Sequence, residues 1–143
     1  MGKLSQGGYL VLRAVADTAA VIWYIFADDR LSTSARNTIE QIGAAGDSVG
    51  FSSITLAEII YLIEQGRLAA STLDRLLGEV EKQDALLVEV PFDRQVARAM
   101  QQAGRIQMLE LPDRIIAATA LCLDLPLISR DLKIQQAGVD TIW

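Results

Sequence analysis

Four carboxylates of this chain stand where α/β proteins do chemistry: Asp17, Glu58, Asp113 and Asp131. Asp17 ends the apolar run Leu12-Arg13-Ala14-Val15-Ala16, and Asp131 follows Leu127-Ile128-Ser129-Arg130. In open parallel sheets ligands bind beyond the carboxyl ends of the strands, so an acid just after a strand points into the usual functional crevice. Glu58 and Asp113 fall in the first turns of expected helices, which would bring them to the same edge. Carboxylates gathered in this way repel and raise one another's pKa unless a cation neutralises them. Mg²⁺ or Mn²⁺ suits an all-oxygen site of this kind, and the chemistry it would support is metal-assisted hydrolysis.

Each acid also has a purely structural explanation. Asp17 is a favoured residue type for capping a helix that starts at Thr18. Asp131 would serve a short helix over residues 131–137 in the same way, or pair with Lys133. Thr55-x-x-Glu58 ahead of an apolar run has the form of a capping box, in which the glutamate bonds back to the N-cap amide. Asp113, behind Pro112, sits where the helix macrodipole favours negative charge. What these separate explanations leave open is why all four acids should gather at one edge.

Composition removes several competing chemistries. There is no histidine, which excludes His-dependent triads and an imidazole general base. A single cysteine, Cys122, excludes an intramolecular disulfide and the usual Cys/His zinc sites, and its apolar helical setting reads as a buried structural thiol. A net charge of −5 argues against general, charge-driven affinity for nucleic acid, although cations bound among the acids would cancel part of the repulsion. The hydrophobic fraction of 51% is that of a core-rich globular chain, and 143 residues fit one domain. The longest N-terminal apolar stretch, Ala14 to Phe26, is broken by Asp17 and is too short to span a membrane. It also lacks a signal-peptide layout, so a cytoplasmic protein is expected.

The elements that must position the acids alternate between strand and helix. Residues 1–9 (MGKLSQGGY) read as a mobile lead-in, and residues 10–143 as the domain. Strands are expected over residues 10–16, 48–52, 86–90, 126–128 and 139–142. Helices are expected over 18–26, 32–44, 55–65, 71–83, 93–105 and 113–123, with stops at the Gly43/Gly46 region and at Gly66 and a start at Pro112. This alternation is the signature of an α/β fold whose central parallel sheet is covered by helices on both faces. In the helix carrying Glu58, Ile59-Ile60-Tyr61-Leu62-Ile63 is apolar on more than one side. With the helix of residues 71–83 it is expected to form a homodimer surface or a groove for a partner, though complete burial would also account for it.

The segments that hold the acids resemble the PIN-domain family, and most closely the VapC-type toxins of bacterial toxin–antitoxin pairs. The resemblance rests on Val15-Ala16-Asp17-Thr18 with the following Trp-bearing helix, and on Ser52-Ser53-Ile54-Thr55-Leu56-Ala57-Glu58-Ile59. It rests further on Leu111-Pro112-Asp113-Arg114-Ile115-Ile116-Ala117-Ala118, and on Leu125-Pro126-Leu127-Ile128-Ser129-Arg130-Asp131 with Thr141-Ile142-Trp143 at the close. These matches run from about residue 12 to the last residue in family order. The resemblance implies a three-layer α/β/α sandwich with a central parallel sheet. It places the family's catalytic and metal-binding acids on Asp17, Glu58, Asp113 and Asp131, and puts Thr18 and Ser129 at hydroxyl positions that hold metal-bound water. Where many relatives carry a further Asp three residues before Asp113, this chain has Glu110.

The activity so implied is a Mg²⁺- or Mn²⁺-dependent endoribonuclease with an RNA substrate and a cognate antitoxin. The alternative is a catalytically inactive PIN-like module acting through protein contacts alone, against which the retention of all four acids speaks. With no imidazole pair to activate a ribose 2′-hydroxyl, attack by water leaving a 3′-hydroxyl and a 5′-phosphate is the expected course. Asp17 and Asp113 are expected as direct ligands, with Glu58 and Asp131 orienting water or a second ion.

Overall fold

A computed structural model of the chain describes Leu4–Ser5, Gly8–Tyr9 and residues 11–143. The expected mobile lead-in therefore falls largely outside the described residues. Its two described pieces, β1 (Leu4–Ser5) and β2 (Gly8–Tyr9), pair antiparallel.

The main sheet has five strands, all parallel, in the order β5-β4-β3-β6-β7: Leu87–Val90, Ser48–Ser52, Leu12–Ala16, Leu127–Ile128 and Thr141–Ile142. Successive side chains of a strand face opposite ways, and the core divides accordingly. Ala14, Ala16, Phe51 and Ile128 pack on one face with Val21 of α1 (Thr18–Ile25), Ile39 of α2 (Thr33–Ala44), Ile59 of α3 (Ile54–Glu64) and Leu76 of α4 (Thr72–Val80). Val15 and Leu127 face the other way, onto Val96 of α5 (Arg94–Gln102), Ile116 and Ala120 of α6 (Leu111–Leu123) and Ile134 of α7 (Leu132–Gln136). The result is the expected three-layer α/β/α sandwich. Among the described residues no helix is long and apolar enough to cross a membrane.

The chain order creates one topological switch. From β3 the chain moves outward to β4 and β5, then returns to the other side of β3 to lay down β6 and β7. The crevice of an open parallel sheet lies at such a point, here between the carboxyl ends of β3 and β6. The two strands are tied there by the Asp17 amide, which donates to the Ile128 carbonyl at 3.1 Å.

Local signals account for most element ends. Pro112 sits in the first turn of α6, where its missing amide costs nothing, and the helix closes at Asp124 in the left-handed region (φ 54°) with Pro126 just beyond. Gly66 stops α3 with a positive φ of 73°. Gly43, expected to help end α2, instead lies inside it and lets Leu86 approach: an added Cβ would stand 3.2 Å from Leu86 Cδ1. The stop is Gly46, at φ 80°. The apolar run of α3 divides: Ile59 is fully buried, whereas Ile60 and Tyr61 are 44% and 58% exposed, so the core does not absorb it entirely.

Candidate active site

Asp17 is both a helix cap and a site residue. Its carboxylate Oδ1 accepts the Ala20 amide at 2.9 Å as the N-cap of α1, and it is also bonded by the Ser129 hydroxyl. Burial nevertheless pushes its pKa up, and the charges of Asp131 and Glu58 add to the rise. Asp131 combines the same roles. It caps α7 through the Lys133 amide at 2.9 Å, and its own amide donates to the Ser129 hydroxyl at 3.1 Å. The expected alternative of a Lys133 ion pair does not form; the contact is to the Lys133 backbone.

Glu58 takes no part in a capping box. Thr55 lies inside α3 rather than ahead of it, and its hydroxyl, fully buried, bonds Thr18 Oγ1 at 2.9 Å. Thr18 Oγ1 in turn donates to Glu58 Oε1 at 2.5 Å. The Thr18 hydroxyl has one proton, so the order of donation is Thr55 to Thr18 to Glu58, a short relay that fixes the glutamate from the start of a neighbouring helix. Thr18 and Ser129 thus both spend hydrogen bonds on steering the acids.

Asp113 occupies the first turn of α6. Its pKa is pushed up to about 6, first by burial and then by the charges of Asp131, Glu58, Asp17 and, last, Glu110. All four expected acids line one open cavity of about 700 Å³, and the charges of the other three act on Asp113. Among the described residues, none of the four is in an ion pair. Glu110 contributes to the local field but is exposed and does not line the cavity.

Among the described residues, no group of three or more Asp, Glu, His or Cys side chains stands arranged to hold a metal ion. The donor set still fits a hard divalent cation: it is all oxygen, none of its acids is in an ion pair among the described residues, and burial with the neighbouring acids' charge holds Asp17 and Asp113 above the ordinary carboxylate pKa.

The cavity wall carries two cations from outside the four acid-bearing motifs. Arg30 and Arg67 line it, with Arg130. Isolated arginines in turns carry no periodic signal, and only the fold brings residues 30, 67 and 130 around one opening. The Arg130 guanidinium lies 4.6 Å from the centre of the Trp23 ring and that of Arg30 5.1 Å, while Trp143 meets Trp23 edge-on at 5.9 Å.

Residues 14–139 match the PIN domain family. The chain belongs to the PIN-domain family. Solved structures with the same fold include a chain of VapBC2 from Rickettsia felis, bound to a DNA fragment from the promoter, with a TM-score of 0.67 at 16% identity, over 91% of this chain and 97% of that one. VapBC-1 from nontypeable Haemophilus influenzae gives 0.64 at 16% identity, over 91% and 96%. A toxin–antitoxin complex from Klebsiella pneumoniae gives 0.56 at 24% identity, over 84% and 88%. At the level of sequence, no curated protein matches. Within this PIN domain the four acids gather at the switch point of the sheet, Asp17 and Asp131 just beyond β3 and β6, Glu58 on α3 and Asp113 on α6.

Proposed function

We propose that this PIN-domain protein is a Mg²⁺- or Mn²⁺-dependent endoribonuclease and the toxin of a toxin–antitoxin pair acting in the cytoplasm. The observation that supports it is the convergence of Asp17, Glu58, Asp113 and Asp131, all without an ion-pair partner among the described residues, on one cavity at the switch point. Asp17 and Asp113 would hold the ion, with Glu58 and Asp131 completing the oxygen shell. When bound, the ion lowers the pKa of water in the site and offsets charge developing on the phosphate. The chain's own part is to hold the acids in place: Ser129 and the Ala20 amide fix Asp17, the Thr55–Thr18 relay fixes Glu58, and the Lys133 amide fixes Asp131.

A cognate antitoxin is supported by the neighbouring structures, which are toxin–antitoxin complexes. A homodimer is supported by the exposed Ile60 on α3, which does not line the cavity, and Ile60→Glu should turn a dimer into a monomer in sedimentation velocity. A strictly monomeric wild type removes the dimer from the proposal. The activity is tested by incubating purified protein with a panel of structured RNAs, with Mg²⁺, Mn²⁺ or EDTA. Cleavage that needs the ion and disappears in Asp17→Asn supports the proposal, whereas no cleavage of any RNA favours the inactive binding module.

A further inference from the structure

A site built from four carboxylates in a chain of net charge −5 repels the polyanion that the ribonuclease reading asks it to bind. Some group must hold the phosphates against that field. Three arginines border the cavity, and they differ in what they have left to offer. Arg30 is already engaged, because its Nη2 and Nε meet both carboxylate oxygens of Asp28 at 2.7 and 3.1 Å. Arg130 and Arg67 have no ion pair or hydrogen bond from their side chains among the described residues. Of these two, only Arg130 is held in place by an aromatic ring, that of Trp23.

That contact decides the geometry. A guanidinium stacked on an aromatic face uses its π surface and leaves the N–H groups around its edge free. Trp23 is itself a fixed platform, only 8% exposed and braced by Trp143. Arg130 is therefore a preorganised fork, one residue before Asp131 and on the wall of the acid-lined cavity. Such a fork matches the paired oxygens of a phosphodiester.

We propose that Arg130 is the phosphate-binding residue of this site, holding a phosphodiester of a single-stranded RNA beside the bond to be cut, with Trp23 setting its position. The inference rests on the ribonuclease reading. A single strand is the fitting form because Tyr61, 58% exposed on the same cavity, offers an aromatic face on which an unpaired base stacks. Arg30 is a brace for Trp23 rather than a second phosphate ligand.

The test measures binding of fluorescein-labelled oligouridine by anisotropy across a salt series, in an Asp113→Asn background so that cleavage does not interfere. Adding Arg130→Ala should weaken binding about tenfold, the loss of one charge-assisted hydrogen-bonding group, and should flatten the salt dependence by about 0.7 in log–log slope. Arg130→Lys keeps the charge but loses the planar stack, so it should restore the slope while recovering only part of the affinity. Arg98→Ala, which removes an exposed charge on α5 away from the cavity, should change neither. In the otherwise wild-type enzyme Arg130→Ala should raise KM far more than it lowers kcat.

An unchanged slope in Arg130→Ala, a loss equal to that of Arg98→Ala, or no oligouridine binding at all would overturn the inference. Binding with the expected slope change in a protein that cleaves no RNA would overturn the ribonuclease reading and leave the assignment of Arg130 standing.

Discussion

Replacing Asp113 with asparagine should make the protein more stable while abolishing its activity. The Asp113 carboxyl rises from an ordinary 3.8 to about 6, because burial and four neighbouring acids disfavour its charge. A rise of that size corresponds to a ceiling of about 3 kcal/mol of destabilisation by the ionised form. The side chain is only half-buried, and solvent screening brings the working figure to about 1.5 kcal/mol. The macrodipole of α6 acts the other way, since losing a charge in the first turn costs about 0.5 kcal/mol. The net gain for Asp113→Asn is thus about 1 kcal/mol, or roughly 3–4 °C in Tm for a domain of this size. The sign fixes the pH window. The penalty is present above about 6, shrinks as pH falls through that value, and is gone below 3.8, where the carboxyl is neutral in both folded and unfolded chains. Calorimetric melts in EDTA at neutral and acidic pH read the difference directly. With Mn²⁺ in excess the order should invert, because the ion stabilises the protein that binds it. An Asp113→Asn protein that melts below wild type at neutral pH in EDTA, or a difference that ignores pH, would refute the electrostatic reasoning.

Titration calorimetry with Mn²⁺ should show binding to wild type that weakens sharply in Asp17→Asn and Asp113→Asn; unchanged binding in both removes the metal assignment. Thr18→Val, which keeps the shape but cuts the hydroxyl relay, should lower the cleavage rate at least tenfold by freeing Glu58. It should also cost about 1 kcal/mol of stability by orphaning the buried Thr55 hydroxyl, and a variant with full activity would show that Glu58 needs no such restraint.

The layers of the fold were legible because strand and helix periods alternate cleanly from β3 onward, and because Pro112 and Gly66 act through backbone geometry that needs no tertiary context. The four acids were legible as a set, yet each had a capping alternative that sequence could not resolve. The structure resolves these differently. Asp17 and Asp131 cap helices and face the cavity at once, while Thr55 lies two residues past the N-cap of α3 and so cannot form a capping box with Glu58. Gly43 misled because a glycine near a helix end signals a stop, whereas here its missing Cβ makes room for Leu86, which directly precedes β5 on the same face of the sheet. Arg30, Arg67 and Trp23 gather at the cavity through long-range packing, which leaves no trace in local spacing.

The central claim is that the acid cluster cuts RNA by metal-dependent hydrolysis, and the chemistry of the product ends tests it most directly. With Mn²⁺, wild-type protein should leave 5′-phosphate and 3′-hydroxyl ends, and both EDTA and Asp113→Asn should abolish cleavage. Ends carrying 2′,3′-cyclic phosphate, or cleavage that survives EDTA, would contradict it.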